Sequence, residues 1–302
     1  MNIQQTQTKE PSLYLIDGHS AVYKYHFAYA KNPLRTTAGV DVSAIYGLSK
    51  LIATLLINYP VTHMAVIFDP PYRTWRKDFY PEYKANRKHP DDITAQFEMA
   101  YHLVKTWGIY TNAFRPLEAD DVIGILAKQA EAKGMSVRIA SKDKDFAQLV
   151  TEKIQLIDLG KSVGQDAATI IDREGVKTHW GVYPEQIVDY LSLVGDTTDN
   201  VPGVKGIGEK GAADLLQSHG TIEGIYEALP TLPKGQKARK ASLEASKDIL
   251  ERNRKLITLA THYGLPVTVE DLKIKAIHNN ALFELLDSLE FHSILRMFAT
   301  DK

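Results

Sequence analysis

The sequence predicts an α/β protein: a mostly parallel central sheet flanked by helices, then a C-terminal helical domain containing a helix–hairpin–helix. Three observations predict it. Short apolar runs alternate with helical patterns up to about residue 180, the strand pattern fades beyond that point, and a glycine-rich segment there lies between two helical patterns. Strand–helix alternation favours a parallel sheet with helices on both faces, because a right-handed crossover returns the chain to the sheet beside its last strand.

The elements follow in chain order. Residues 1–12 are polar and read as a flexible tail without a signal-peptide core. "LYLIDG" (13–18), "MAVIFD" (64–69), "SVRIAS" (136–141) and "IQLIDLG" (154–160) have the length and apolar density of buried strands. Between them, 43–59, 93–108 and 121–134 carry apolar residues at helical spacing. This delimits an α/β domain over 13–180, with a basic region around 72–92. The segments after it read as helices and form a second domain over 181–302, with the helix–hairpin–helix at about 186–217. There is no internal repeat and no low-complexity tract.

Composition narrows the class. The 302 residues are 44% hydrophobic and 24% charged, an ordinary globular balance that supports a sizeable core. Cys is absent, which excludes disulfides and thiolate metal sites and fits a reducing compartment. No apolar run approaches the ~20 residues of a membrane span, so a cytoplasmic protein is expected. The net charge of −1 conceals local structure. The run 72–88 holds Arg73, Arg76, Lys77, Lys84, Arg87 and Lys88 against Asp78 and Glu82, and "KGQKARK" (234–240) is a second basic stretch.

The acids carry the chemistry. In open α/β sheets ligands bind outside the carboxyl ends of the strands. Asp17 and Asp69 end two strands, Asp143 and Asp145 follow a third, and Glu118, Asp120 and Asp121 open the helix before it. Asp196 and Asp199 lie three apart in "GDTTDN". Any one of these is readily a helix cap or turn residue. Nine on one rim would repel one another at a cost of many kcal/mol. Hard divalent cations remove that cost, and Mg²⁺, with Mn²⁺ as substitute, suits oxygen ligands. Two such ions suit phosphodiester hydrolysis: one activates a water, and both offset charge on the phosphate and leaving oxygen. If "FYPEYKANRK" is helical, Lys84 and Arg87 share a face, and Tyr83 beside them offers a ring for a base. A solvated basic face is the bland alternative.

"NVPGVKGIGEKGAADLL" (200–216) places Gly203, Gly206 and Gly208 in a tight hairpin before a helix, a pattern that grips a nucleic-acid backbone through main-chain N–H groups. There is no GxxxxGK[ST], and the glycines follow a helix rather than a strand, so neither a P-loop nor a dinucleotide site is supported.

Together "LIDGHSAVYKYHFAYA", "SAIYGL", "AVIFD", "YPEYKANR", "LEADDVIGILA", "SKDKDFAQLV", "GDTTDN" and "PGVKGIGEKGA" resemble the 5′-nuclease family, with its PIN-like core. The nearest likeness is the 5′→3′ exonuclease domain at the N-terminus of bacterial DNA polymerase I, with flap endonucleases more distant. The resemblance runs from about residue 13 to 298. It implies one metal site from Asp17, Asp69, Glu118, Asp120 and Asp121, and a second from Asp143, Asp145, Asp196 and Asp199. It makes Lys84, Arg87, Asp120 and Asp143 catalytic, and Lys24, Arg76, Tyr83, Lys84, Arg87, Gly203, Gly206, Gly208 and Lys210 DNA-binding. The 72–92 region becomes an arch or clamp, and the hairpin a site for K⁺. Implied partners are DNA with a free 5′ end, flap or nick, RNA–DNA hybrids, and a polymerase domain or replication proteins. A monomer associated with the bacterial nucleoid is expected. Lys24 stands where many relatives have Arg, Thr198 where Ser is common, and Lys142 where Gly is frequent. A standalone nuclease and the N-terminal part of a longer polymerase both remain open. Two other functions compete: a PIN-type ribonuclease, and a non-catalytic structure-specific DNA-binding protein.

Overall fold

The computed structural model describes residues 10–87, 93–158, 169–231, 237–275 and 280–299. Lys88, most of the tail, the end of the basic region and residues 234–236 of the second basic run lie outside the described residues.

Six strands form the central sheet: β1 (Ser12–Asp17), β2 (His63–Ile67), β3 (Tyr110–Asn112), β4 (Ser136–Ala140), β5 (Ile154–Asp158) and β6 (Thr169–Ile171). Their order is β3-β2-β1-β4-β5-β6. All neighbours are parallel except β5 and β6. The three-residue β3 and β6 are too short to announce themselves as apolar runs. Every residue of β1 is buried, as a central strand covered on both faces requires. The order reverses at β1, whose neighbours are β2 and β4, and the crevice beyond the carboxyl ends of β1 and β4 is the switch point where such sheets bind ligands.

Helices α1 (Gly18–Tyr29), α2 (Ser43–Asn58), α3 (Trp75–Phe79), α4 (Ile93–Thr106) and α5 (Ala119–Ala132) come from the first half. The helices α1, α2 and α4 cover one sheet face in a core around Tyr14, Ile16, Ile52, Met64 and Trp107. On the other face α5 packs over Leu13, Leu15, Ala65 and Val137. Beyond the sheet lie α6 (Arg173–Trp180), α7 (Ile187–Val194), a two-strand ribbon of β7 (Gly195–Asp196) and β8 (Val201–Pro202), then α8 (Glu209–His219), α9 (Ile222–Ala228), α10 (Lys237–Glu244) and α11 (Lys247–Ile257). The helices α12 (Asn280–Ser288) and α13 (His292–Ala299) complete the chain.

Residue 180 is not a break in the core. One apolar cluster runs from Leu13 and Val122 through Ile187 and Leu216 to Leu272. The last two helices return to α2 and α4, adding Leu282, Leu286, Phe291 and Ile294 to the other cluster. No described helix is long and apolar enough to cross a membrane.

Candidate active site

Asp17 ends β1 and caps α1, accepting from the Ser20 N–H at 2.9 Å. Strand pairing fixes its backbone, and the Ser141 hydroxyl beyond β4 approaches its other oxygen at 3.3 Å. Asp69 follows β2; its backbone N–H donates to His19 Nδ1 at 3.1 Å, and its carboxylate accepts from the Ala119 N–H at 2.7 Å. Asp120 stands in the first turn of α5, where free N–H groups favour negative charge. Asp143 caps the 3-10 turn Lys144–Leu149 through the Asp145 N–H at 2.9 Å. The caps and turns that sequence chemistry offers as a bland reading are therefore real, and they aim the carboxylates.

Asp17, Asp69, Asp120 and Asp143 line one cavity of about 460 Å³ at the switch point, together with Lys24, Lys84, Arg87 and Thr198. Burial and the charges of Asp69 and Asp143 push the Asp17 carboxyl up to about 7. Asp120 is raised well above its ordinary range by burial, Asp17 and Asp143. Burial and neighbouring acids likewise raise Asp143 and, more strongly, Asp145. Burial acts in the same sense on Asp69, but His19 and Lys84 outweigh it and hold that group low. Among the described residues, no three His, Asp or Glu side chains are drawn close enough to make a ready metal-binding group. The acids share a cavity instead. Carboxylate oxygens crowded enough that three of the four acids are raised are chemically fitted to a hard divalent cation.

The 82–87 segment supplies the cations, and the condition that "FYPEYKANRK" be helical is not met there. It forms consecutive turns. Lys84 is held at φ 54, a left-handed conformation uncommon outside glycine, and its N–H donates to the Asp199 carbonyl at 2.9 Å. Asn86 Nδ2 donates to the Thr197 carbonyl at 3.0 Å, and Asn200 Nδ2 to the Glu82 carbonyl at 2.8 Å. Tertiary bonds to the 197–200 loop therefore replace helical ones. Lys84 Nζ reaches Glu118 Oε2 at 2.9 Å, and Arg87 pairs with Asp199.

Three expected assignments need correction. Asp121 is fully buried and faces away from the cavity, gripped by both Arg76 amino groups at 2.7 and 2.8 Å, by Trp75 Nε1 and by the Ala260 N–H. Its carboxyl is held low by that guanidinium, and a cation has no access to it. Arg76 itself is 1% exposed and cannot meet DNA phosphate. Tyr83 is 5% exposed, so its ring is closed to a base. Its hydroxyl lies 3.1 Å from Glu118 Oε2 and 2.9 Å from Asp199 Oδ2.

The remaining acids sit at the cavity's margin. Glu118, also buried, accepts from the Thr74 hydroxyl at 2.8 Å as well as from Tyr83 and Lys84. Lys84 and Arg87 keep Asp199 low against its burial. Asp196 caps its own turn through the Thr198 N–H at 2.7 Å and pairs with Lys144 at 3.1 Å. Sequence reasoning missed His19, Tyr23 and Phe27, which line the cavity. Their signal was available: α1 leaves Asp17 directly, so residues one turn apart on it face the same rim. Phe27 is 60% exposed and stacks on Tyr23, with ring centroids 6.2 Å apart.

The glycine hairpin joins α7 to α8. A side chain on Gly203 would run into the Val194 carbonyl, and Gly206 has φ 80. Gly208 precedes α8, and Lys210 is exposed in its first turn.

Residues 12–181 match the 5′-3′ exonuclease N-terminal resolvase-like domain, and residues 182–280 the 5′-3′ exonuclease C-terminal SAM fold. A 5′-3′ exonuclease of Aquifex aeolicus is 37% identical over 286 residues, covering 94% of each chain. DNA polymerase I of Caldicellulosiruptor bescii is 36% identical over 94% of this chain, which spans only 33% of that polymerase. Among solved structures, the T5 D15 protein co-crystallised with metal ions superposes with a TM-score of 0.66 at 25% identity, covering 95% of this chain and 99% of that one. The catalytic core of Rad2 in complex with DNA shares the fold, with a TM-score of 0.58 at 17% identity over 95% of this chain and 92% of that one. With both family models matching in sequence order and the relatives spanning nearly its whole length, the chain belongs to the 5′-3′ exonuclease family.

Proposed function

We propose that this 5′ nuclease is a divalent-metal-dependent 5′→3′ exonuclease and structure-specific 5′ flap endonuclease, acting on DNA and on RNA primers annealed to DNA. One observation carries the reading: Asp17, Asp69, Asp120 and Asp143 converge with Lys84 and Arg87 in a single cavity at the sheet's switch point. Asp17, Asp69, Asp120 and Asp143 would hold the ions, with Glu118, Asp145, Asp196 and Asp199 at the margin. Bound Mg²⁺, or Mn²⁺ in its place, supplies Lewis acidity that activates water and offsets charge on the phosphate.

The chain's own residues do the rest. Lys84 and Arg87 bring positive charge to the cavity, where donors aimed at developing charge contribute most. The Glu118 and Asp199 carboxylates hold these cations in place beforehand. The exposed Phe27 ring, stacked on the half-buried Tyr23, offers a platform at the mouth for a terminal base, the role expected of Tyr83. Lys24 lines the same cavity, where it can meet a neighbouring phosphate as a point charge. The hairpin's backbone and Lys210 would hold duplex through its phosphates, without reading bases. A K⁺ ion at the hairpin, and a polymerase domain or replication protein as partner, rest on family resemblance.

The test is a timed digest of 5′-labelled flap, nick and blunt duplexes, and of single-stranded RNA, with and without Mg²⁺. Metal-dependent release from 5′ ends and flaps is expected, with Asp120→Asn and Asp143→Asn nearly inactive yet still binding DNA. Preference for single-stranded RNA would favour a ribonuclease, and no cleavage with Mg²⁺ or Mn²⁺ a pure binder.

A further inference from the structure

The short segment from Asn253 to Ala260 fastens the hairpin to the elements that carry the acids, and nothing in the chemistry above requires it. At its first end, Asn253 is completely buried inside α11. Its side-chain amide donates to the Ser192 carbonyl at 3.1 Å and the Pro202 carbonyl at 2.8 Å, tying the last turn of α7 to β8 of the hairpin ribbon. Arg254 beside it binds Asp189 on α7 at 2.7 Å.

At the other end, three separate elements grasp the backbone. Arg76 Nε, from α3, donates to the Leu256 carbonyl at 2.7 Å, and its Nη2 to the Thr258 carbonyl at 3.2 Å. Asp121, from α5, accepts from the Ala260 N–H at 3.0 Å. Gln148, from the turn after Asp143, donates to the Ile257 carbonyl and accepts from the Leu259 N–H, each at 3.0 Å. Gly124 permits the approach, since a Cβ there would lie 2.8 Å from the Ala260 carbonyl oxygen.

We propose that residues 253–260 are a register strut: they fix the spacing between the hairpin and the catalytic cavity, and so select which phosphodiester bond is cut. Asn253, Arg76, Asp121 and Gln148 are then positioning residues, acting through the elements they fasten. A buried polar network with every bond made defines one arrangement, and a partly broken one tolerates several. This explains why Arg76 and Asp121 sit beside the site without entering it. The inference rests on the nuclease reading above.

Two variants test opposite ends: Asn253→Ser at the hairpin and Gln148→Ala at the cavity. The readout is product length at single-nucleotide resolution on a labelled 5′-flap duplex with Mg²⁺, assayed well below each variant's melting temperature. Asn253→Ser, whose hydroxyl can keep one of the two bonds, should raise the share of product cut one nucleotide from the main site roughly fivefold, the ratio expected for one lost buried hydrogen bond. Gln148→Ala, which loses both of its bonds to the segment, should raise it further. Binding of the flap duplex in Ca²⁺ should change less than about twofold, because the contact surfaces are kept. A merely structural role lowers the melting temperature and overall rate while leaving the length pattern intact. That outcome, in both variants, overturns the strut. If the wild-type protein cuts no flap at all, the nuclease reading falls first and the strut with it.

Discussion

Replacing Tyr83 by phenylalanine removes one oxygen and keeps the buried ring, which separates two roles that the sequence alone runs together. The hydroxyl lies within hydrogen-bond distance of Glu118 Oε2 and Asp199 Oδ2, but it has a single proton to give. The variant therefore deletes one charge-assisted hydrogen bond, about 1.5–3 kcal/mol. Those two carboxylates seat Lys84 and Arg87, so the loss should fall on the transition state. At about 1.4 kcal/mol per decade it becomes a roughly ten- to hundredfold slower single-turnover rate. The assay is cleavage of a labelled 5′-flap duplex at saturating enzyme with Mg²⁺, beside a thermal melt. The melting temperature should fall by several degrees, because the bond also belongs to the resting fold, without the larger loss that a cavity would bring, so the protein remains folded at the assay temperature. If the ring instead stacks on a base, Phe is silent, and a wild-type rate for Tyr83→Phe would refute the reasoning.

Other consequences follow from the same geometry. Lys84→Ala removes the cation 2.9 Å from Glu118 and should slow the chemical step at least about a hundredfold, while affinity for flap duplex shifts much less; single-turnover rates compared with binding isotherms decide it. Gly203→Ala forces a methyl group into the Val194 carbonyl, so the hairpin must rebuild. Duplex affinity should then fall about tenfold and its dependence on salt become shallower, as phosphate contacts are lost. Arg254 depresses the Glu223 carboxyl from its usual 4.5 to about 2. A carboxylate held low in the fold stabilises it above pH 4.5 and loses that contribution as pH falls from about 4.5 towards 2. Glu223 is largely exposed, so Glu223→Gln should cost less than about 1 kcal/mol near neutrality. The variant should also flatten the acid limb of a denaturation series.

Much of the fold was legible because its signals are local. The four longer strands are short, mostly apolar runs, and the helices at 43–58, 93–106 and 119–132 show their period within a few residues of their true ends. β3 and β6 were missed because three residues carry no period. The acids were legible for the same reason: a carboxylate just after a parallel strand lies on the ligand-binding rim whatever the rest of the chain does. The glycines of 203–208 likewise announce a close-packed turn without reference to distant residues.

Tertiary structure decided which charges belong to one another. Asp120 and Asp121 are adjacent in sequence, yet helical geometry points successive side chains about 100° apart. One faces the cavity, and the other meets Arg76 from 45 positions away. Arg76 in turn binds carbonyls 180 and 182 positions onward, which no spacing rule could suggest. Tyr83 and Lys84 look like an exposed basic helix until the 197–200 loop takes the Lys84 N–H and turns the chain inward. The sequence by itself determined the donor chemistry and the end of the sheet on which it gathers, because alternation and period are properties of neighbouring residues. Which carboxylates were left facing the cavity, and which were paired off behind it, depended on partners that only folding brings within reach.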